Sequence, residues 1–375
     1  MRLLEFEAKR MLASHGISVP AGTLWPRVPA GVSRVVLKAQ IPEGRRAKRG
    51  GVAFADSPED AAAIAERMIG MDLGGHRVEQ VYVEERLEIQ SELYLSVFVD
   101  RDARGYALLA SRRGGIDVES VPKAEIFKVS VDPLTGLRPF TVRRLLTFLQ
   151  IPAALRERAA AAITQLYATA VAEDAELVEV NPLVITADGL VVAGDAKMIV
   201  DGNASFRHPG WRELTLADEG SPVERAVAAA GGTAVEIDPQ GRLVGVVSGA
   251  GLMMATLDLF VAEDARVRCM VDLGGAALAD PRGIVPIFSA MARLRPDVLF
   301  VNAYFQTVLA DGFAQAIVDA HRAVTLPGRV VVRLKGRNGD AAKAILAPLG
   351  FEIVEELGDG IRAAARALAG SGEVP

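Results

Sequence analysis

Four stretches of this sequence put side chains capable of chemistry at the ends of apolar runs. Lys38 closes Val35-Val36-Leu37 and leads into the basic, glycine-bearing loop Gly44-Arg45-Arg46-Ala47-Lys48-Arg49-Gly50-Gly51. Cations beside backbone that can approach closely suit a polyphosphate, although the loop is not a P-loop and a solvated hairpin tip has similar composition. The acidic run Glu84-Glu85-Arg86-Leu87-Glu88, ending in Glu92, offers acceptor-only groups that suit a nucleoside's hydroxyl and amino hydrogens or simply face solvent. Strand alternation puts Glu179 and Asn181 on one side, and Asp195 follows the next strand-like run. A carboxylate and an amide oxygen, together with phosphate oxygens, are how Mg²⁺ is normally held, though either segment alone equally describes a strand end with an Asn-Pro turn. Finally, Ser248-Gly249-Ala250-Gly251 and Asp272-Leu273-Gly274-Gly275 each follow a strand-like run. Backbone N–H groups at such turns can face an anion, but generic strand-to-helix connectors look the same.

Other reactive residue types offer less. The one cysteine, Cys269, lies in the apolar run Val267-Arg268-Cys269-Met270-Val271 and reads as a buried strand thiol. It allows no internal disulfide and no cysteine metal cluster, which points to a reducing cytoplasm. His15, His76, His208 and His321 show no partner spacing and read as structural. The 375 residues suffice for two or three domains, and 50% hydrophobic content excludes disorder. A formal net charge of -5, with 24% charged residues in mixed order, provides no basic field for nucleic acid. The longest uncharged stretch, Leu243 to Leu257, contains three glycines and is too short to span a bilayer, so neither a membrane nor a nucleic acid is expected as a partner.

The elements that must position these groups follow from periodicity. A helix is expected from Leu4 to His15, a short strand at Ile17 to Val19, and strands at Val35 to Gln40 and Val52 to Ala55. Ala61 to Ile69 reads as helix, Gln80 to Val83 as strand, and Glu92 to Val99 with Tyr106 to Ala110 as an antiparallel hairpin. The Ala-rich stretch Pro152 to Glu173 is helical, followed by strands at Glu176 to Val180 and Leu190 to Ala193. After a polar, irregular boundary between Phe206 and Pro222, five strand-like runs alternate with five helical patterns, from Leu243 to Ala369. That alternation predicts βα units and a doubly wound parallel sheet, with ligands beyond the carboxyl ends of the strands.

Glu5-Phe6-Glu7-Ala8-Lys9, Val36-Leu37-Lys38-Ala39-Gln40, Glu92-Leu93-Tyr94-Leu95, Asp132-Pro133-Leu134-Thr135-Gly136, Glu179-Val180-Asn181-Pro182-Leu183, Asp201-Gly202-Asn203-Ala204, Gly249-Ala250-Gly251-Leu252 and Asp272-Leu273-Gly274-Gly275 occur in order over nearly the whole chain. Together they resemble the β subunit of succinyl-CoA synthetase and its malate-CoA ligase relatives. The resemblance implies an ATP-grasp nucleotide-binding domain over residues 1–215 and a flavodoxin-like CoA-ligase domain over residues 216–375. It implies a cytoplasmic, NDP-forming acid–thiol ligase that uses Mg²⁺, ATP or GTP, coenzyme A and a small carboxylic acid. An α subunit would hold CoA and a phosphorylated histidine, in a heterodimer or heterotetramer. Position by position, Lys38, Arg45, Arg46 and Ala47 would contact phosphates, and Glu84, the main chain at Leu87, and Glu92 would hold the nucleoside. Asn181 and Asp195 would bind Mg²⁺, and Glu179 would orient the partner's histidine. Ser248, Gln306, Thr307 and Val308 would line the acid pocket. In the family an asparagine stands where this chain has Ser248, and Gly-Gly-Ile where it has Phe305-Gln306-Thr307. The pocket departures allow an acid other than succinate, and Asp195-Ala196-Lys197-Met198 is closer to the malate-CoA ligase version; together with Arg45 and Ala47 in place of loop glycines, which alter the nucleotide loop, they also allow a weakened paralogue with a structural or regulatory role.

Overall fold

Antiparallel strands with one apolar face build the first part of the chain. The computed structural model describes residues 1–42, 46–214, 220–275, 283–326 and 328–370, and these fall into two units, Met1–Glu219 and Gly220–Pro375. In unit 1, β1 (Gly22–Leu24), β2 (Val35–Gln40), β3 (Val52–Ala55) and β4 (Gln80–Glu85) form a sheet of order β1-β4-β2-β3, antiparallel throughout. Its core of Leu37, Ala39, Val81 and Val83 packs on Ala61, Ala65 and Met68. Those three come from the helix Pro58–Met68, whose start is fixed by Ser57 accepting a hydrogen bond from the Asp60 N–H and by Pro58 in the first turn. The preceding helix, Glu5–Ser14, begins where Glu7 reaches back to the Leu4 N–H, 3.0 Å away.

A second sheet in unit 1 has the order β10-β8-β5-β6-β7 and carries the other half of the site. Its strands are β5 (Ile89–Asp100), β6 (Gly105–Ser111), β7 (Ile126–Ser130), β8 (Ala175–Thr186) and β10 (Ala196–Val200), with β9 (Val191–Ala193) paired to β8. The expected hairpin is the antiparallel β5–β6 pair. Helices Pro139–Phe148 and Arg156–Ala172 cover one face through Leu145, Ile163 and Leu166, packed on Leu95, Val97 and Val178. Ile17 to Val19 forms no strand: Pro20 cannot donate to a ladder, and Ser18 contributes a single carbonyl to the Ala193 N–H.

Unit 2 contains the doubly wound sheet β11-β13-β12-β14-β15-β16. Strands β12 (Leu243–Val247), β13 (Val267–Asp272), β14 (Val298–Phe305), β15 (Arg329–Gly336) and β16 (Glu352–Val354) are parallel, and β11 (Thr233–Glu236) is an antiparallel edge strand that the apolar pattern does not reveal. Every residue of β12 is buried, with Val244 and Val246 on one core and Leu243 and Val247 on the other, as a strand covered on both faces requires. Cys269 is fully buried, and the loss of solvent pushes its thiol up to about 12, so it is an inert core residue.

Candidate functional site

Residues far apart in sequence surround one cavity of about 350 Å³ in unit 1. Glu179 and Asn181, two apart on β8, both face it, together with Asp195, which lies between β9 and β10. Arg46 and Lys48, with Ala47 between them on the single helical turn Arg46–Arg49, form a basic side. Arg45 lies outside the described residues.

A network of six charges adjoins the cavity, three of which, Glu5, Arg46 and Asp195, line it. Arg46 donates through Nη2 to Glu5 Oε2 at 2.6 Å and to both Asp195 oxygens at 3.2 Å, and through Nη1 to the Ala39 carbonyl at 3.0 Å. Lys38 Nζ lies 2.9 Å from Glu5 Oε1, 2.6 Å from Glu84 Oε1 and 2.8 Å from the Gly194 carbonyl. Lys9 takes the same three partners, at 2.9 Å from Glu5, at 2.8 Å from Gly194 O, and through Glu84 Oε2. Three acids thus meet three bases, which is what makes burial of so many charges tolerable. Burial pushes the Glu5 carboxyl up, but Arg46, Lys38 and Lys9 outweigh it and hold the group well below the usual range. Burial likewise lowers Lys38 and Arg46, but their carboxylate partners raise both far above ordinary values.

Glu179 and Asp195 shift the opposite way from Glu5. Glu179 is raised above the ordinary carboxylate value, first by burial, with Asp195 and Glu119 adding to the shift and Lys197 opposing it. Asp195 is also raised, first by loss of solvent and then by Glu5, against the pull of Arg46 and Lys38. In both, loss of solvent comes first and a neighbouring carboxylate adds to it, an environment in which the charged form gains from a bound cation. The donor set of carboxylates with the Asn181 amide oxygen is hard and oxygen-only, which fits Mg²⁺. Asn181 is aimed by its surroundings: Oδ1 accepts from the Gly115 N–H at 2.8 Å and Nδ2 donates to the Ile116 carbonyl at 2.9 Å. Gly115 has φ +72°, and a Cβ there would lie 2.7 Å from Glu92 Oε2, so only glycine fits this turn between Glu92 and Asn181. The Tyr94 hydroxyl lies 3.3 Å from Glu179 Oε2 and fixes that side chain.

The expected nucleotide contacts therefore divide. Arg46, Ala47, Glu179, Asn181 and Asp195 share the cavity, whereas Lys38, Glu84, Leu87 and Glu92 do not line it. Glu84 is 3% exposed, with both oxygens engaged by lysines, and Leu87 is half-buried between β4 and β5. Glu5 and Lys9, quoted above only as part of a resembling stretch, are central to the charge network. Their i,i+4 acid–base spacing is common on solvated helices, and only tertiary burial distinguishes them.

In unit 2, Ser248 Oγ accepts from the Tyr304 N–H at 3.0 Å, joining the ends of β12 and β14. Gln306 and Thr307 are exposed and Val308 is half-buried. The turn expected to face an external anion already holds one. Asp272 Oδ1 accepts from the Gly249 N–H at 2.7 Å and the Gly274 N–H at 3.2 Å. Gly249 has φ +116°, a conformation that excludes most side chains.

Residues 2–185 match the ATP-grasp domain family and residues 246–367 the CoA-ligase family. The β subunit of the ADP-forming succinate–CoA ligase of Pyrobaculum aerophilum is 37% identical over 95% of this chain and 97% of its own length. The second such β subunit of Archaeoglobus fulgidus is 35% identical over 98% of this chain and 99% of its own. Among solved structures, the ATP citrate lyase of Methanothrix soehngenii, in complex with citrate and coenzyme A, aligns with a TM-score of 0.78 at 18% identity, over 98% of this chain and 99% of that one. At that identity the likeness concerns the fold.

Proposed function

As the chain belongs to the family of β subunits of ADP-forming succinate–CoA ligases, we propose that its unit-1 cavity binds a magnesium nucleoside triphosphate and delivers the γ-phosphoryl group to a histidine of an α subunit. The protein is an NDP-forming acyl-CoA ligase subunit of the acid–thiol ligase class. The observation that carries the reading is the convergence of Glu179, Asn181 and Asp195 opposite Arg46 and Ala47 in one cavity. Residues 1–215 act as the nucleotide-binding domain and residues 216–375 as the CoA-ligase domain.

In this reading Asn181 and Asp195 hold Mg²⁺, which neutralises phosphate charge when bound. Arg46 leaves Asp195 and Glu5 for the phosphates, and Lys38 leaves Glu5 and Glu84; Arg45 and the Ala47 N–H join them. Glu84, Leu87 and Glu92 serve the nucleoside end. Glu179 accepts a hydrogen bond from one ring nitrogen of the partner's histidine, leaving the other to attack the γ-phosphorus as the nucleoside diphosphate leaves. The phosphoryl group then passes to a carboxylate oxygen of the acid, and the CoA sulfur displaces phosphate to form the thioester. Ser248, Gln306, Thr307 and Val308 contact the acid. The relatives' names favour succinate, while Phe305 and Gln306, standing where the family has glycines, leave less room for backbone to grip a carboxylate and favour a different short acid.

Co-purified with its α subunit and supplied with Mg²⁺, CoA and either ATP or GTP, the protein is expected to form a CoA thioester with one acid of a panel containing succinate and malate. Failure with every acid and both nucleotides, in a complex that is folded and stoichiometric, contradicts the proposal.

A further inference from the structure

Lys9 and Lys38 place two ammonium groups on the same three acceptors, Glu5 Oε1, the Glu84 carboxylate and the Gly194 carbonyl. Both ammonium groups share both carboxylates, so when one of them leaves, the other still touches Glu5 and Glu84. Their accessibility differs: the Lys9 side chain is 0% exposed, while Lys38 is 9% and Arg46 8% exposed, with Arg46 lining the cavity. Lys9 has three donors and three acceptors at hand, so it has no reason to leave. Glu5 and Glu84, at 2% and 3% side-chain exposure, cannot be left without a cation, because a carboxylate out of water and unpaired is strongly disfavoured.

We infer that Lys9 is a positioning residue: it is the fixed countercharge of Glu5 and Glu84 that allows Lys38 and Arg46 to exchange those carboxylates for nucleotide phosphates. Without Lys9, the two buried acids would retain Lys38 and Arg46, and phosphate would have to compete with them. The inference rests on the reading of this cavity as the nucleotide site.

The test is calorimetric titration of the full chain, complexed with its α subunit, with Mg²⁺ and a non-hydrolysable ATP analogue. Lys9→Met is expected to raise the Kd at least about tenfold, since Lys38 becomes the sole ammonium of two acids. Glu84→Gln removes one of the two acids that Lys9 neutralises and, with it, the shorter ion pair that retains Lys38, so the double variant is expected to bind within about threefold of Glu84→Gln alone. This rescue also serves if Lys9→Met by itself fails to fold. Native-like binding by folded Lys9→Met, or a double variant still about tenfold weaker than Glu84→Gln, overturns the inference. No binding by the unaltered complex overturns the nucleotide-site reading itself, a result separable from either of those.

Discussion

Asp174 accepts both hydrogen bonds of the Arg207 guanidinium, at 2.6 and 2.7 Å, and lies 2.6 Å from His208 Nε2. Arg207 first, then His208, bring its carboxyl down to about 2 from an ordinary 3.8. Because the folded value is the lower one, the stabilisation is complete above 3.8 and is lost as pH falls towards 2. Thermal melts should therefore show the gap between the unaltered chain and Asp174→Asn narrowing as pH falls from about 4 towards about 2; a gap that stays constant or widens contradicts the assignment. At the same scale, legibility depended on whether a residue's type announced its chemistry. Asp195, Glu179 and Asn181 stand out because carboxylate and amide oxygens at strand ends suggest a hard cation. Lys38 was equally visible, but its inward-facing ion pairs were not, because Glu5 and Lys9 lie some 30 residues away and the contact exists only once the Glu5–Ser14 helix docks. The closure of the Asp272 turn on its own carboxylate was hidden for the same reason.

Elements buried on two faces announced themselves, and those at edges did not. The apolar runs of β12, β13, β14 and β15 could be read directly, since a central parallel strand has no polar face. By contrast β7, whose residues are half-buried or exposed, and β11, with alternating exposed and half-buried positions, carry too little hydrophobic signal. Within β14, Asn302 is the exception to the apolar pattern: fully buried, it donates to Thr256 Oγ1 at 2.9 Å and accepts from Arg333 Nη1 at 2.9 Å. It ties the Ala250–Ala262 helix and β15 to the central strand. Asn302→Ala leaves two polar partners unsatisfied and should cost about 1–3 kcal/mol in urea denaturation; an unchanged midpoint and slope would show that the bridge contributes nothing.

Over the whole molecule, each unit has its own cores, and the ionic chemistry described above is confined to the first. No described helix is long and apolar enough to cross a membrane. A net charge of -5 coexists with a cavity where basic residues meet acidic ones, an arrangement suited to a phosphate chain that carries its own metal ion. In the proposed function, residue and molecule meet in the transfer of a phosphoryl group from nucleotide to a partner subunit. The most direct measurement is incubation of the α-subunit complex with γ-labelled ATP and Mg²⁺, comparing the unaltered chain with Asp195→Asn. The account predicts acid-labile, base-stable label on the α subunit, with the initial labelling rate reduced at least about 100-fold by the substitution. Label absent from the α subunit of the unaltered complex, or label that accumulates equally fast with Asp195→Asn, would contradict it.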